Sequence, residues 1–377
     1  MSADVRKDAI IRRLSEIDWD FTTEKSESDF SGLHWHPCRF PSQVPAVAIS
    51  RLSRPGDTVL DPFMGSATTL VEAKRLGRNS VGIDINPVSC LMASAKLVEE
   101  PGDELAVLID RFKLRLSQGW EHARLSDVPE AVQGTKWFAD QTLTELRKIW
   151  GMIEQEPEPI YTIVKATFSS ILLPSCRETR HWGYVCDNSQ PKTDRVGEAK
   201  KLFLIALERF KRAHLARTDN RGSSAHSKVI CQDSRLALKS LKDGEIDCFV
   251  TSPPYLGVAD YVKAQRLSME WFGFEIEPLR KEEIGARSKR YRKDNHAKFI
   301  ADIGEVFDQT ARVLKSGGYG VIVFGSSPSR KDTVEPFIER VLNSGFSLDV
   351  RKSRNISSNR RQMPSLMDET VFILRKE

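Results

Sequence analysis

The chain has 377 residues, 40% hydrophobic and 29% charged, with 57 Lys plus Arg against 52 Asp plus Glu and a net charge of +5. That length suits about two domains, and the mild basicity excludes a polybasic tail protein while leaving room for a localised basic groove. No apolar run approaches the ~18 residues that cross a bilayer, so no membrane association is expected.

In chain order, residues 1–31 are polar with one short amphipathic stretch at Ile10, Ile11, Leu14 and Ile17, and read as a peripheral helix or loosely held arm. Met1 to Trp19 lack the apolar core of a signal peptide. The first strong strand signal is Asp57–Asp61, introduced by Pro55-Gly56. A helix is predicted from Ser66 to Leu76, stopped by Gly77, and a second strand runs from Ser80 to Asp84 before Asn86-Pro87. Strands joined this way are parallel. Residues 99–225 carry apolar residues at helical spacing in Leu105–Leu116, Leu143–Ile153, Ile160–Leu173 and Ala199–Leu215, with no strand signal. They are read as a helical insertion. The β pattern resumes at Lys228–Cys231 and Ile246–Thr251, followed by a helix from Phe299 to Leu314 and a strand from Gly320 to Phe324. A helix at Val334–Leu342 precedes strands near Phe346–Val350 and Thr370–Leu374. The alternation predicts an α/β fold: a doubly wound, mostly parallel sheet with an antiparallel C-terminal edge. The domains are then 1–31, an arm; 32–98 with 226–377, the catalytic domain; and 99–225, a helical insertion.

Two strand ends carry chemistry. Asp61-Pro-Phe-Met-Gly-Ser-Ala-Thr-Thr69 leaves a strand, turns through small residues and enters a helix. Ligands of open α/β sheets sit beyond such strand ends, and the free N–H groups of the helix can face an anionic group. Asp84 lies 19 residues after Gly65, placed to accept from ribose hydroxyls. An ordinary βα turn with Ser66 and Thr68 as caps is the plain alternative. G-x-G-x-x-G and the P-loop pattern are both absent, so a nucleoside bearing a carboxylate fits better than a dinucleotide or a triphosphate. The second end is Thr251-Ser252-Pro253-Pro254-Tyr255. Two prolines stiffen the backbone and aim its carbonyls. A substrate amino group can donate to Ser252 and to a proline carbonyl while its ring stacks on Tyr255, an arrangement suited to alkylating an exocyclic amine by positioning alone. A rigid strand-end turn is the alternative there.

Together these motifs resemble the amino-methylating (N4-cytosine/N6-adenine) DNA methyltransferases, which implies a Rossmann-like fold and S-adenosylmethionine as cofactor. His36-Pro-Cys-Arg-Phe40-Pro-Ser-Gln43 is similar to the family's segment lining the methionine end, Asp84-Ile-Asn86-Pro87 to its ribose turn, and Cys231-Gln-Asp233-Ser234 to its adenine contact. The resemblance covers 34–98 and 228–325. It implies cofactor contacts at Phe40, Asp61, Pro62, Phe63, Gly65, Ser66, Thr68, Thr69, Asp84, Asn86, Asp233 and Ser234, and a base site at Ser252, Pro253, Pro254 and Tyr255. Ser-Pro-Pro-Tyr leans in the family towards N4 of cytosine and Asp-Pro-Pro-Tyr towards N6 of adenine. Position 67 is alanine where the family usually has a second glycine. The C5 route needs a cysteine nucleophile after proline, and the only Pro-Cys pair, Pro37-Cys38, precedes the cofactor loop.

Arg287-Ser-Lys289-Arg290-Tyr-Arg292-Lys293 and the stretch with Arg351, Lys352, Arg354, Arg360 and Arg361 hold no acid and are read as phosphate contacts beside the base pocket. Target reading falls to the helical insertion, with its own basic stretch from Lys200 to Arg221. His34, His36 and Cys38 lack a second ligand cluster and Cys176, His181 and Cys186 lack finger spacing, so no metal is predicted. Six scattered cysteines without a C-x-x-C pair suggest reduced thiols and a cytoplasmic location. The expected activity is site-specific methylation of cytosine N4 in duplex DNA, with a cognate restriction endonuclease or defence-system partner. Adenine N6 methylation, an RNA amine methyltransferase and an inactive nucleic-acid-binding relative are the alternatives.

Overall fold

The computed structural model describes residues 10–21, 29–34, 36, 41–134, 136–177, 194–216, 225–289, 294–326, 332–355 and 368–377. Seven strands, β1 (Thr58–Asp61), β2 (Asn79–Asp84), β3 (Ser227–Cys231), β4 (Ile246–Thr251), β5 (Leu314–Ser326), β6 (Phe346–Asn355) and β7 (Asp368–Lys376), form one sheet in the order β3-β2-β1-β4-β5-β7-β6. The first five are parallel, and β7 runs antiparallel to both neighbours. This is the expected doubly wound, Rossmann-like sheet with an antiparallel edge. The strand order reverses between β1 and β4, so a crevice opens at their carboxyl ends. Val59, Leu60, Phe249, Val250, Val321 and Ile322 are fully buried, as central parallel strands covered on both faces require.

Local signals explain the crossover helices. Asn86 caps the helix Pro87–Leu97, accepting from Val88 N at 2.9 Å, and Pro87 takes the first turn, where its missing N–H costs nothing. The helix Asn295–Val313 lays Phe299, Ile303, Val306 and Phe307 on the sheet. The predicted strand at 320–324 extends back to Leu314, because Ile246 pairs with Leu314 ahead of a register shift.

Between the helix Pro87–Leu97 and β3 the described residues form helices and no strand, with long helices at Gly102–Gln118, Asp140–Ile153, Ile160–Ser175 and Ala199–Leu215. They enclose their own core of Phe112, Trp137, Phe168, Phe203 and Phe210, which also takes in Phe30, Leu33, Leu267 and Trp271. The N-terminal segment is packed rather than loose where it is described. Leu14, Trp19 and Phe21 are buried against Val44, Val250, Val323 and Val371 on one face of the sheet. No helix among the described residues is long and apolar enough to cross a membrane.

Candidate active site

The crevice holds an open cavity of about 910 Å³, lined from β1 and its loop by Phe63, Met64, Gly65, Ser66 and Thr68, from β2 by Asp84, Ile85 and Asn86, from β3 by Asp233 and Ser234, and from β4 by Ser252 and Pro254. Residues as far apart in the chain as Phe63 and Pro254 thus line one cavity.

The loop after β1 is held from below. Asp61 is 1% exposed, accepts from Thr251 Oγ1 at 2.7 Å and from the Phe63 amide at 3.1 Å, and is pushed up to about 6 by burial. Thr69, also buried, donates to the Val250 carbonyl. Asp61 ties β1, and Thr69 the helix that follows it, to β4, and neither these two nor Pro62 and Pro253 line the cavity. The Ser234 hydroxyl donates to the Pro62 carbonyl, and the buried Lys96 ammonium donates to the Ser66 carbonyl at 2.7 Å. Gly65 has φ +46°, and a Cβ there would lie 2.9 Å from the His36 ring. Glycine is required on both counts. Ala67 is fully buried with φ 61° and ψ 29°, in the left-handed region.

Asp84 accepts from Gly65 N at 3.0 Å through one oxygen and from Asn86 N at 2.8 Å through the other. Burial pushes its carboxyl up to about 6, and each oxygen retains a lone pair for a ligand hydroxyl. Asp233 is clamped by the Arg235 guanidinium, which also reaches Asp302 at 2.8 Å and Glu282 at 3.0 Å.

The sequence pattern did not reveal the lid. Short helices at Tyr261–Ala264, Arg266–Trp271 and Ile276–Glu282 bring Tyr261, Val262, Glu282, Glu283 and Ile284 to the cavity wall, with the Tyr261 ring 6.3 Å from that of His36. Burial pushes Glu283 up to about 8, and its carboxyl accepts from the Tyr261 and Val262 amides. No motif marks these residues; their place follows from the path of the chain after β4. Four carboxylates, Asp84, Asp233, Glu282 and Glu283, line the cavity without a Lys or Arg among the described lining residues. With no lining cation to attract phosphates and with the Asp84 oxygens available to a nucleoside's hydroxyls, the donor set fits S-adenosylmethionine.

At the β4 end Ser252 faces the cavity, whereas Tyr255 does not. Expected to offer its ring face to a base, Tyr255 is 1% exposed and sits edge-on to Phe324 at 5.3 Å. Its preceding prolines turn the chain inward, and its hydroxyl lies 3.0 Å from Ser252 Oγ and donates to Glu369 at 2.9 Å.

The basic clusters divide. Lys289 folds back to cap the carbonyls of Lys281 and Glu283, both at 2.7 Å. Arg351 pairs with Glu335, and Arg354 is 3% exposed and bonded to Glu369. All three cations are thus engaged by groups of the protein itself. Arg287 is half-buried at the lid's end. Phe40, Arg290, Arg292, Lys293, Arg360 and Arg361 lie outside the described residues. In the helical segment, Lys211 and Lys113 pair with Asp110 and Glu208.

Residues 10–95 match a family model for N6/N4 methyltransferases described as DNA methylase. The chain is 24% identical to the type II methyltransferase M.MjaII of Methanocaldococcus jannaschii, over 96% of this chain and 84% of that one. It is 26% identical to M.BsoBI of Geobacillus stearothermophilus, over 60% and 49% of the two chains, and 28% identical to M.MvaI of Kocuria varians, over 58% and 51%. The match spans about half the length of the latter two. The loop after β1, Asp84 and the Ser-Pro-Pro-Tyr strand end thus gather on one cavity, in a chain similar to the S-adenosylmethionine-dependent, amino-methylating DNA methyltransferases.

Proposed function

We propose that the chain transfers a methyl group from S-adenosylmethionine to N4 of a cytosine flipped out of duplex DNA. The observation that carries this reading is the single cavity into which Gly65, Asp84 and Asp233 from the cofactor half and Ser252 and Pro254 from the β4 end all open. When bound, the cofactor supplies an electrophilic methyl. Phe63, Gly65, Ser66, Thr68 and Asn86 shape its berth, Asp84 accepts from its ribose, and Asp233 with Ser234 flanks its adenine. Ser252 Oγ and a carbonyl of the Pro-Pro segment accept the protons of the target amine. That draws them out of the ring plane and localises the nitrogen lone pair for attack. Positioning and electrostatics do the catalytic work.

Cytosine is favoured over adenine by the serine at position 252. Arg287, with Arg290, Arg292, Lys293, Arg360 and Arg361, supplies phosphate contacts, and the helical segment 99–225 reads the target. The type II relatives make a cognate restriction endonuclease the expected partner. Nucleoside mass spectrometry on unmethylated duplex DNA, with RNA in parallel, tests the reading. N4-methylcytosine in DNA is the expected product. N6-methyladenine would move the base assignment, and product in RNA alone would overturn the substrate class.

A further inference from the structure

Behind Ser252 runs a buried chain of polar side chains with no part in cofactor binding. Ser252 Oγ lies 3.0 Å from Tyr255 Oη, which donates to Glu369 Oε1 at 2.9 Å. Glu369 Oε2 accepts from Arg354, and Arg354 Nε donates to the Trp19 carbonyl at 2.8 Å. Tyr255, Glu369 and Arg354 are 1%, 7% and 3% exposed. Glu369 stands at the start of β7 and Arg354 near the end of β6, so three strand ends converge beneath one serine. A buried ion pair costs several kcal/mol of desolvation per ion, and packing alone would be served by apolar residues.

We propose that Tyr255 and Glu369 form a proton relay that orients the Ser252 hydroxyl and removes the proton shed by the methylated amine. This rests on the reading of Ser252 given above. An ionised carboxylate only accepts, so Tyr255 donates to Glu369, and the tyrosine oxygen then accepts from Ser252. The Ser252 proton is thereby turned inward, and its lone pairs face the cavity, where an amine N–H can donate to them. As the nitrogen–methyl bond forms and the methyl–sulfur bond breaks, its electron pair staying on sulfur, the nitrogen is left with one proton too many. That proton moves to Ser252 Oγ, the serine proton to Tyr255, and the tyrosine proton to Glu369. The acceptor ends neutral, and nothing is oxidised or reduced. Among the described residues, Arg354 from β6 and Tyr255 from the β4 loop are the groups bonded to Glu369. Burial raises its carboxyl above the usual range, and Arg354 opposes that rise.

The test compares wild type with Tyr255→Phe, Glu369→Gln and the double variant. Each single change is expected to slow single-turnover methylation of duplex DNA roughly 10²-fold, the size of a general acid–base contribution. Cofactor Kd, measured by calorimetry, should stay unchanged. The double variant should be no slower than either single one, as for residues acting as a unit. Difference infrared spectroscopy on the cofactor-free protein gives a readout apart from activity. A carboxylic-acid band titrating above the ordinary carboxylate range should vanish in Glu369→Gln and shift in Tyr255→Phe. Wild-type rates in Tyr255→Phe, additive losses, a parallel loss of cofactor binding or the absence of that band would each overturn the relay alone. A wild-type protein that methylates no DNA base would overturn the functional reading and the relay with it.

Discussion

Ala67 holds a left-handed backbone at the point where the cofactor loop enters its helix. An L-residue pays about 1–2 kcal/mol for that conformation, and glycine loses ~0.5–1 kcal/mol of the advantage through its freer unfolded chain. Ala67→Gly is therefore expected to stabilise the fold by roughly 0.5–1 kcal/mol, read as a higher denaturation midpoint. An unchanged or lower midpoint would mean that the surrounding loop absorbs the strain. Asp84 and Asp61 share a second property, carboxyls pushed up to about 6 by burial. Because these folded-state values exceed the unfolded ~3.9, their contribution to stability is fully present at low pH and is lost as pH rises through about 6. Ligand binding runs the other way, since Asp84 in its proposed role as ribose acceptor works best ionised. Cofactor affinity measured by calorimetry should rise between pH 5 and 7 with a midpoint near 6. Asp84→Asn should abolish that midpoint, whereas Asp61→Asn, which removes a neighbouring charge that helps raise Asp84, should keep it and move it downward. A flat profile in the wild type would remove Asp84 from the ribose site.

Among the elements, the lid after β4 has the most testable consequence. Gly257 N donates to Gly285 O at 2.8 Å and Arg287 N to Ala259 O at 3.0 Å, closing the segment into a loop whose inner wall is Glu283. Lys289 locks it by capping two of its carbonyls. Lys289→Ala should weaken cofactor binding several-fold, a part of the ~1.5–3 kcal/mol of hydrogen bonds to a charged group, and should leave the salt dependence of DNA affinity unchanged. A phosphate contact would behave oppositely, lowering the salt slope by roughly one unit. The lid helices were not legible beforehand. They are only four to seven residues long, too short for helical periodicity to show. Most of the longer elements announced themselves. Pro55-Gly56 marked a strand start, Asn86-Pro87 a strand end, and the apolar spacing within 105–215 four long helices, whereas the helix Pro87–Leu97 itself was not anticipated.

At the scale of the whole molecule, the N-terminal segment joins the catalytic sheet to the relay. Trp19 is 2% exposed within the sheet-face core, and its carbonyl receives Arg354. Trp19→Ala should cost about 3–5 kcal/mol, a large share of the ~5–15 kcal/mol of a typical domain, and urea unfolding would register it as a lower midpoint. A loss under about 1 kcal/mol would show instead that residues 10–21 are only draped on the surface. By itself the sequence determined the sheet, its antiparallel edge and the two motif strand ends, because periodicity, turn residues and short-range spacing are local properties. Only the tertiary structure decided what stands behind those motifs. Tyr255 turned inward, Glu369 arrived from 114 positions away, Lys289 was spent on the lid, and Asp61 went to tying β1 to β4 and not to the cavity wall. Each outcome depends on which buried polar groups meet once the strands are side by side, and the energy of such meetings is not written in either partner's neighbourhood along the chain.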